Sequence, residues 1–128
     1  MTATIRVAVC DDARAVKFFL RQVLEEEGDI EVVSATSTGE EALVQLAQCR
    51  ADVLLLDLVL PDVPEPAMLV DRIRACTPET AIVLISNLPP FSLEKEAGRL
   101  GTDGWVPKAA KPAQLRDAVR AAMSAASG

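Results

Sequence analysis

The 128-residue sequence contains no histidine and no tyrosine, and aromatic residues make up only 3% of it. Without histidine, the chain has neither a Ser-His-Asp or Cys-His nucleophile system nor a histidine-ligated metal. The scarcity of aromatics argues against a stacking platform for single-stranded nucleic acid. The net charge of −6 argues against a duplex-DNA surface, which requires clustered lysine and arginine. Any chemistry is therefore expected from carboxylates, lysine, hydroxyl groups or a metal held by oxygen.

Long apolar runs are also missing. No run approaches the roughly 18 residues that a membrane span needs, and the N-terminus lacks the apolar core of a signal peptide. We therefore expect a cytoplasmic location and no membrane partner. Cys10, Cys49 and Cys76 are far apart and odd in number, which argues against a disulfide framework or a zinc knuckle. The length predicts one domain over residues 1–128, with the small-residue tail 124–128 a linker stub or disordered.

Short apolar runs alternate along the sequence with longer amphipathic stretches. The pattern predicts strands over residues 5–10, 30–35, 53–56, 81–85 and 104–106. It predicts helices over residues 13–27, 38–47, 67–75 and 92–100, and a last helix beginning at Pro112. The second helix begins with a capping box, Thr38-Gly-Glu-Glu41. This alternation predicts an α/β fold with a doubly wound, five-stranded parallel sheet in the flavodoxin-like order 2-1-3-4-5.

Polar side chains stand at four of the five predicted strand ends. Asp11 and Asp12 follow the first strand, Asp57 the third, Ser86 the fourth and Lys108 the fifth. Each alone is an ordinary helix cap, turn residue or surface residue, but in the predicted sheet order they converge at one edge. Two carboxylates about 4 Å apart repel by roughly 4 kcal/mol at an effective dielectric near 20. The set therefore predicts a site for a hard cation such as Mg²⁺, with the Lys108 ammonium beside it.

The sequence resembles the receiver domains of two-component response regulators over almost its whole length. The segments that carry the resemblance are Val9–Asp12, Thr38–Leu43, Asp52–Pro61, Ile85–Ser86 and Gly104–Lys108. The resemblance implies that Asp57 accepts a phosphoryl group from a histidine kinase or a phosphotransfer protein and becomes an aspartyl phosphate. It also implies a signalling switch that catalyses only its own phosphorylation and dephosphorylation.

The same resemblance implies a role for each residue at the strand ends. The ligands of Mg²⁺ would be Asp11, acting largely through water, Asp12, Asp57 and the backbone carbonyl of Val59. Lys108 would pair with the phosphoryl oxygens, and Ser86 would move to form a hydrogen bond with one of them. Positioning and charge neutralisation would supply the catalysis.

The resemblance also implies how the signal leaves the site and how long the phosphoryl group lasts. Trp105 stands where the switch aromatic follows the motion of Ser86, which implies an output partner on the face formed by helix four, strand five and helix five. The alternative for Trp105 is a partly buried core aromatic without a switching role. The apolar segment Leu88–Phe91 is expected on that face as well. Val59 and Leu88 would flank the path of the attacking water. Since both are apolar, we expect slow loss of the phosphoryl group.

The sequence departs from the family pattern at four places and leaves other functions open. Ser86 stands where threonine is commoner, which keeps the hydroxyl group. Asn87 stands where a small residue is usual, Ala109 stands where a proline usually follows the lysine, and the Asp62–Pro66 loop lacks the usual glycine. A pseudo-receiver that binds partners without phosphorylation is therefore the alternative. A phosphatase of the haloacid-dehalogenase type is disfavoured because Val59 occupies the place of its second acid. A nucleotide-binding domain is disfavoured because no glycine-rich loop follows the first strand.

Overall fold

The computed structural model describes residues 4–127, in which five strands alternate with five helices. The strands are β1 (Ile5–Cys10), β2 (Ile30–Thr36), β3 (Val53–Asp57), β4 (Ala81–Ser86) and β5 (Gly104–Pro107). The helices are α1 (Arg14–Glu25), α2 (Gly39–Gln48), α3 (Pro66–Cys76), α4 (Pro90–Leu100) and α5 (Pro112–Ser127). All neighbouring strands are parallel, in the order β2-β1-β3-β4-β5. The predicted flavodoxin-like fold is confirmed.

The core consists of one apolar layer on each face of the sheet. Every residue of β3 and β4 is buried, as expected for central parallel strands covered on both sides. Because successive strand residues point to opposite faces, Leu55 and Val83 pack with α1 and α5, whereas Leu54 and Leu84 pack with α2, α3 and α4. The sheet is therefore held rigidly on both sides, and its carboxyl edge carries the polar side chains.

The element boundaries differ from the predicted ones mainly where polar residues or prolines occur. Both β3 and β4 include their terminal polar residues, Asp57 and Ser86, which a reading of apolar runs alone leaves out. Helix α4 begins at Pro90 rather than at residue 92, because a proline in the first turn forfeits no intrahelical hydrogen bond. The segment 124–127 continues α5, and Gly128 lies outside the described residues.

The start of α2 forms the predicted cap with one change. Thr38 Oγ1 accepts a hydrogen bond from the Glu41 backbone N–H at 3.1 Å. The Glu41 carboxylate reaches back to the backbone N–H of Ser37, at 2.9 Å, instead of to that of Thr38.

Within the part of the chain that the structure describes, no helix is both long and apolar enough to cross a membrane.

Candidate functional site

The carboxyl edge of the sheet brings the three predicted acidic residues together. Asp57 ends β3, which lies between β1 and β4, while Asp11 and Asp12 follow β1 directly. One carboxylate oxygen from each of the three residues lies within 4.8 Å of the other two. The convergence that the strand order predicts is therefore present.

Lys108 bridges two of these carboxylates. Its Nζ lies 2.7 Å from Asp11 Oδ2 and 3.3 Å from Asp57 Oδ2, and its side chain is only 14% exposed. Its backbone N–H donates to the Ser86 carbonyl at 2.9 Å, which anchors the segment after β5 to the end of β4. Burial acts to lower the pKa of Lys108, but the two carboxylates outweigh it and the pKa is raised. Lys108 is thus held as a cation in the site, although Ala109 replaces the usual proline.

Asp57 is almost completely buried, and each of its carboxylate oxygens has a partner. Oδ1 accepts a hydrogen bond from the Val59 backbone N–H at 3.2 Å, and Oδ2 faces Lys108. Burial raises the pKa of Asp57 most strongly and the charge of Asp11 raises it further, whereas the Val59 N–H and Lys108 act in the opposite direction. The net pKa is raised, so the Val59 N–H and Lys108 together do not fully offset burial and the charge of Asp11.

Asp11 and Asp12 have opposite environments although they are adjacent in sequence. Asp11 is fully buried, and its Oδ1 accepts a hydrogen bond from the Ala13 backbone N–H at 2.8 Å. Asp12 is exposed and lines the open cleft above Asp57. Asp11 therefore both shapes the turn into α1 and contributes charge, while Asp12 presents its carboxylate to solvent.

The donors in this cluster are the kind that a hard dication prefers. All three are carboxylate oxygens, one of them is accessible from solvent, and the net charge of the cluster is negative. The nearby Cys10 is buried, its Sγ donates to the Thr38 carbonyl at 3.3 Å, and burial raises its pKa to about 11. A buried thiol with that pKa offers no competing soft ligand. The residues present therefore fit Mg²⁺.

The cleft above Asp57 is lined by both polar and apolar residues. The residues that line it are Asp12, Asp57, Val59, Ser86, Asn87, Leu88, Pro89 and Lys108. Val59 is 71% exposed and Leu88 is 37% exposed. Ser86 is buried, and its Oγ accepts a hydrogen bond from the Leu88 backbone N–H at 3.1 Å. The Ser86 hydroxyl is thus tied to the loop before α4, beside the carboxylate cluster.

Trp105 lies on β5 and is half-buried against the apolar layer that contains Leu84 and Leu93. It lines a groove of about 820 Å³ that extends from Ser86 along β5 to α5. Pro89, Pro90 and Ala118 are among the other lining residues. The groove thus joins the end of β4, the predicted switch aromatic and the predicted output face; the switching role of Trp105 stays a prediction.

Asp62, on the loop after β3, contacts the first turn of α2, which the sequence alone does not predict. Its Oδ1 accepts a hydrogen bond from the Gly39 backbone N–H at 2.9 Å, and its Oδ2 accepts one from that of Glu40 at 3.1 Å. The contact spans more than 20 positions in the sequence, so no local motif marks it. The only signal is that the Asp62–Pro66 loop departs from the family pattern.

Comparison with known sequences places these features in a family. The sequence model of the response regulator receiver domain matches residues 7–120. Among curated proteins, the response regulator protein VraR of Staphylococcus aureus is 28% identical over 120 residues, which are 91% of this chain and 56% of VraR. The chain thus spans about half the length of the curated relatives it matches.

Solved structures agree with the fold. The signal receiver domain of NarL from Mycobacterium tuberculosis has a TM-score of 0.84 at 25% identity, and the alignment covers 99% of each chain. The REC domain of AraT, a response regulator from Geobacillus stearothermophilus, has a TM-score of 0.80 at 29% identity and 95% coverage of each chain.

Proposed function

This chain belongs to the response regulator receiver domain family, and from that premise we propose that Asp57 accepts a phosphoryl group from a histidine kinase or a histidine phosphotransfer protein. The family consists of signalling switches rather than enzymes that act on external substrates. The observation that carries the proposal is the Asp11, Asp12 and Asp57 cluster with Lys108 between two of its carboxylates. The histidine that first carries the phosphoryl group lies outside this sequence, which contains none.

The proposed reaction is an in-line displacement at phosphorus. An oxygen of the Asp57 carboxylate forms the new P–O bond while the P–N bond of the partner's phosphohistidine breaks, and the electron pair stays on the imidazole nitrogen. The Val59 N–H holds the other carboxylate oxygen and fixes the orientation of the nucleophile. The Lys108 ammonium is close enough to turn from Asp57 to an incoming phosphoryl oxygen and to stabilise its charge.

The carboxylate cluster is proposed to bind Mg²⁺ for this reaction. Asp12, Asp57 and the Val59 carbonyl would be direct ligands, and Asp11 would act largely through water. When bound, the ion neutralises charge on the carboxylates and on the phosphoryl oxygens. Asp11 and Lys108 hold each other in place at 2.7 Å, so the cationic side chain stays at the edge of the cleft.

The output is proposed to leave through the groove beside β5. Phosphorylation would draw the Ser86 hydroxyl away from the Leu88 N–H and toward the phosphoryl group. Trp105 would follow and change the face formed by α4, β5 and α5, where we place the output partner. We further propose a cytoplasmic location, in keeping with a kinase as donor.

Intact-mass spectrometry after incubation with acetyl phosphate and Mg²⁺ tests the proposal. We expect a gain in mass of one phosphoryl group in the native chain and none in the matched Asp57→Asn variant. A folded native chain that gains no mass while a known receiver does so in parallel would favour the pseudo-receiver instead. A gain that persists in Asp57→Asn would place the acceptor at another residue.

A further inference from the structure

The loop of residues 58–65, between β3 and α3, is tied at its apex to the first turn of α2. Asp62 accepts hydrogen bonds from the backbone N–H groups of Gly39 and Glu40, at 2.9 and 3.1 Å. N–H groups in the first turn of a helix have no partner within the helix, and the helix dipole favours a carboxylate there. The hydrogen bond from Gly39 lowers the pKa of Asp62 most strongly, and the one from Glu40 lowers it further. Asp62 is thus an ionised cap for a helix that is distant in sequence.

Side-chain packing places the same apex close against α2. A Cβ atom placed on Gly39 would lie only 2.6 Å from Val63 Cγ2, so the loop approaches α2 as closely as a glycine allows. The turn is closed by a hydrogen bond from the Val63 backbone N–H to the Leu60 carbonyl, at 3.2 Å. The loop therefore has few ways to shift without breaking contacts at α2.

The start of α2 also contacts the segment that carries the other acidic residues. Cys10 Sγ donates to the carbonyl of Thr38, the N-cap of α2, and the Asp11 backbone N–H donates to the carbonyl of Thr36, at the end of β2, at 3.0 Å. The helix start thus joins the end of β1 to the loop that carries Val59. The Val59 N–H in turn donates to Asp57 at 3.2 Å. The start of α2 is therefore linked both to the segment before Asp11 and to the loop residue that contacts Asp57.

We propose that Asp62 is a positioning residue for the cation site. By fastening the apex of the 58–65 loop to α2, it holds Val59 beside Asp57 with its N–H on the carboxylate and its carbonyl available to a divalent cation. The inference rests on the proposed function, because it takes the carboxylate cluster to be the Mg²⁺ site. It assigns to Asp62 an effect on cation affinity although Asp62 is itself no ligand.

The test measures the Kd for Mg²⁺ by titration calorimetry on the full 128-residue chain. Asp62→Ala removes the hydrogen bonds between the 58–65 loop and α2, and Thr38→Ala is the matched control. Thr38→Ala removes a side-chain cap from the same helix, the bond to the Glu41 N–H at 3.1 Å, and leaves the loop attached. We expect Asp62→Ala to weaken Mg²⁺ binding by about tenfold, the lower end of the effect of losing an outer-shell partner, because Asp62 acts on Val59 only through the loop. Thr38→Ala should change the Kd by no more than about twofold.

A conservative variant and a second readout separate positioning from general destabilisation. Asp62→Asn keeps one acceptor oxygen, so its Kd should lie between those of the native chain and Asp62→Ala; if Asp62→Ala does not fold, Asp62→Asn is compared with Thr38→Ala directly. Hydrogen exchange of the Val59 amide should be faster in the Asp62 variants than in Thr38→Ala. Equal Mg²⁺ affinity in the Asp62 and Thr38 variants would overturn the inference alone. Failure of the native chain to bind Mg²⁺ would overturn the proposed function with it.

Discussion

At the scale of single residues, the structure gives three identical side chains three different environments. Asp11 is buried and paired with Lys108, Asp57 is nearly buried beneath the cleft, and Asp12 is exposed. Their convergence could be predicted from the sequence because parallel strands end at one edge of the sheet. Their burial could not, because it depends on the turn after β1 and on which carboxylates the lysine reaches.

The apolar residues at the cleft predict a long-lived phosphoryl group. Neither Val59 nor Leu88 can orient a water molecule, and both side chains line the cleft. We expect the double variant Val59→Thr, Leu88→Asn to lose the phosphoryl group faster than the native chain. One added hydrogen bond to the attacking water is worth about 1 kcal/mol, or about fivefold in rate. The measurement is the decay of phosphorylated protein after removal of the phosphodonor.

The control for this change is the apolar double variant Val59→Ile, Leu88→Met, which alters shape without adding a polar group. Its phosphoryl lifetime should stay close to the native one. An unchanged or longer lifetime in the polar double variant would contradict the account of water orientation at these two positions.

At the scale of elements, the contact between α2 and the 58–65 loop reverses the effect on stability that is expected when a helical glycine is replaced by alanine. Replacing a helical glycine by alanine normally stabilises a helix by up to about 1 kcal/mol. Here the added Cβ would lie 2.6 Å from Val63 Cγ2, and overpacking of this kind costs about 1–3 kcal/mol. We expect Gly39→Ala to lower the free energy of unfolding, measured by urea denaturation.

The double variant Gly39→Ala, Val63→Ala supplies the control, because it removes the atom that the new Cβ would meet. It should be more stable than the sum of the two single substitutions implies. Simple additivity would show that the two positions do not press against each other.

Helix α5 contains a buried arginine that the pattern of apolar residues does not predict. The apolar residues of one face of the helix pack against the core, with Leu115, Val119 and Ala122 buried and Met123 partly buried, yet the adjacent Arg116 is also only 8% exposed. Its Nη1 donates to the Val23 carbonyl and to Glu26 Oε2, both at 3.1 Å. The arginine thus satisfies a carbonyl near the end of α1, where intrahelical donors run out. No local signal predicts this contact, because its partners are about 90 positions away in the sequence.

At the scale of the whole molecule, the fold could be predicted almost completely, because five apolar runs alternate with five amphipathic stretches and handedness restricts their order. Contacts between elements that are distant in sequence could not. The tie from Asp62 to α2 and the burial of Arg116 both depend on tertiary packing, which the periodicity of one segment does not encode.

Repulsion within the carboxylate cluster predicts how stability responds to Mg²⁺. Burial and then the charge of Asp11 raise the pKa of Asp57, so its charge opposes folding in the absence of a cation. Asp57→Asn should therefore stabilise the metal-free chain and raise its Tm. Millimolar Mg²⁺ should raise the Tm of the native chain by mass action and have less effect on the variant. Calorimetry that finds no effect of Mg²⁺ together with a destabilised Asp57→Asn would contradict this account of the cluster.

The fluorescence of Trp105 can report whether a change at the site reaches the output face. Trp105 is the only tryptophan and the chain has no tyrosine, so near-ultraviolet-excited emission reports almost entirely on that side chain. Trp105 pairs with Leu84 on β4, two positions before Ser86, and it lines the same groove as Ser86. If Ser86 moves toward a phosphoryl group, the space it leaves is open to the indole. Mg²⁺ with beryllium fluoride, a phosphoryl mimic, should then shift the emission to shorter wavelength.

Two variants locate the origin of that shift. Asp57→Asn, which cannot hold the mimic, should abolish it, and Ser86→Ala should reduce it because the hydroxyl that connects the site to the groove is gone. Mg²⁺ alone should change the spectrum much less, because Ser86 Oγ keeps the hydrogen bond that it accepts from the Leu88 N–H at 3.1 Å. A spectrum that stays fixed while mass spectrometry shows phosphorylated Asp57 would make Trp105 a static part of the apolar layer. The signal would then have to leave by a surface other than the α4, β5 and α5 face.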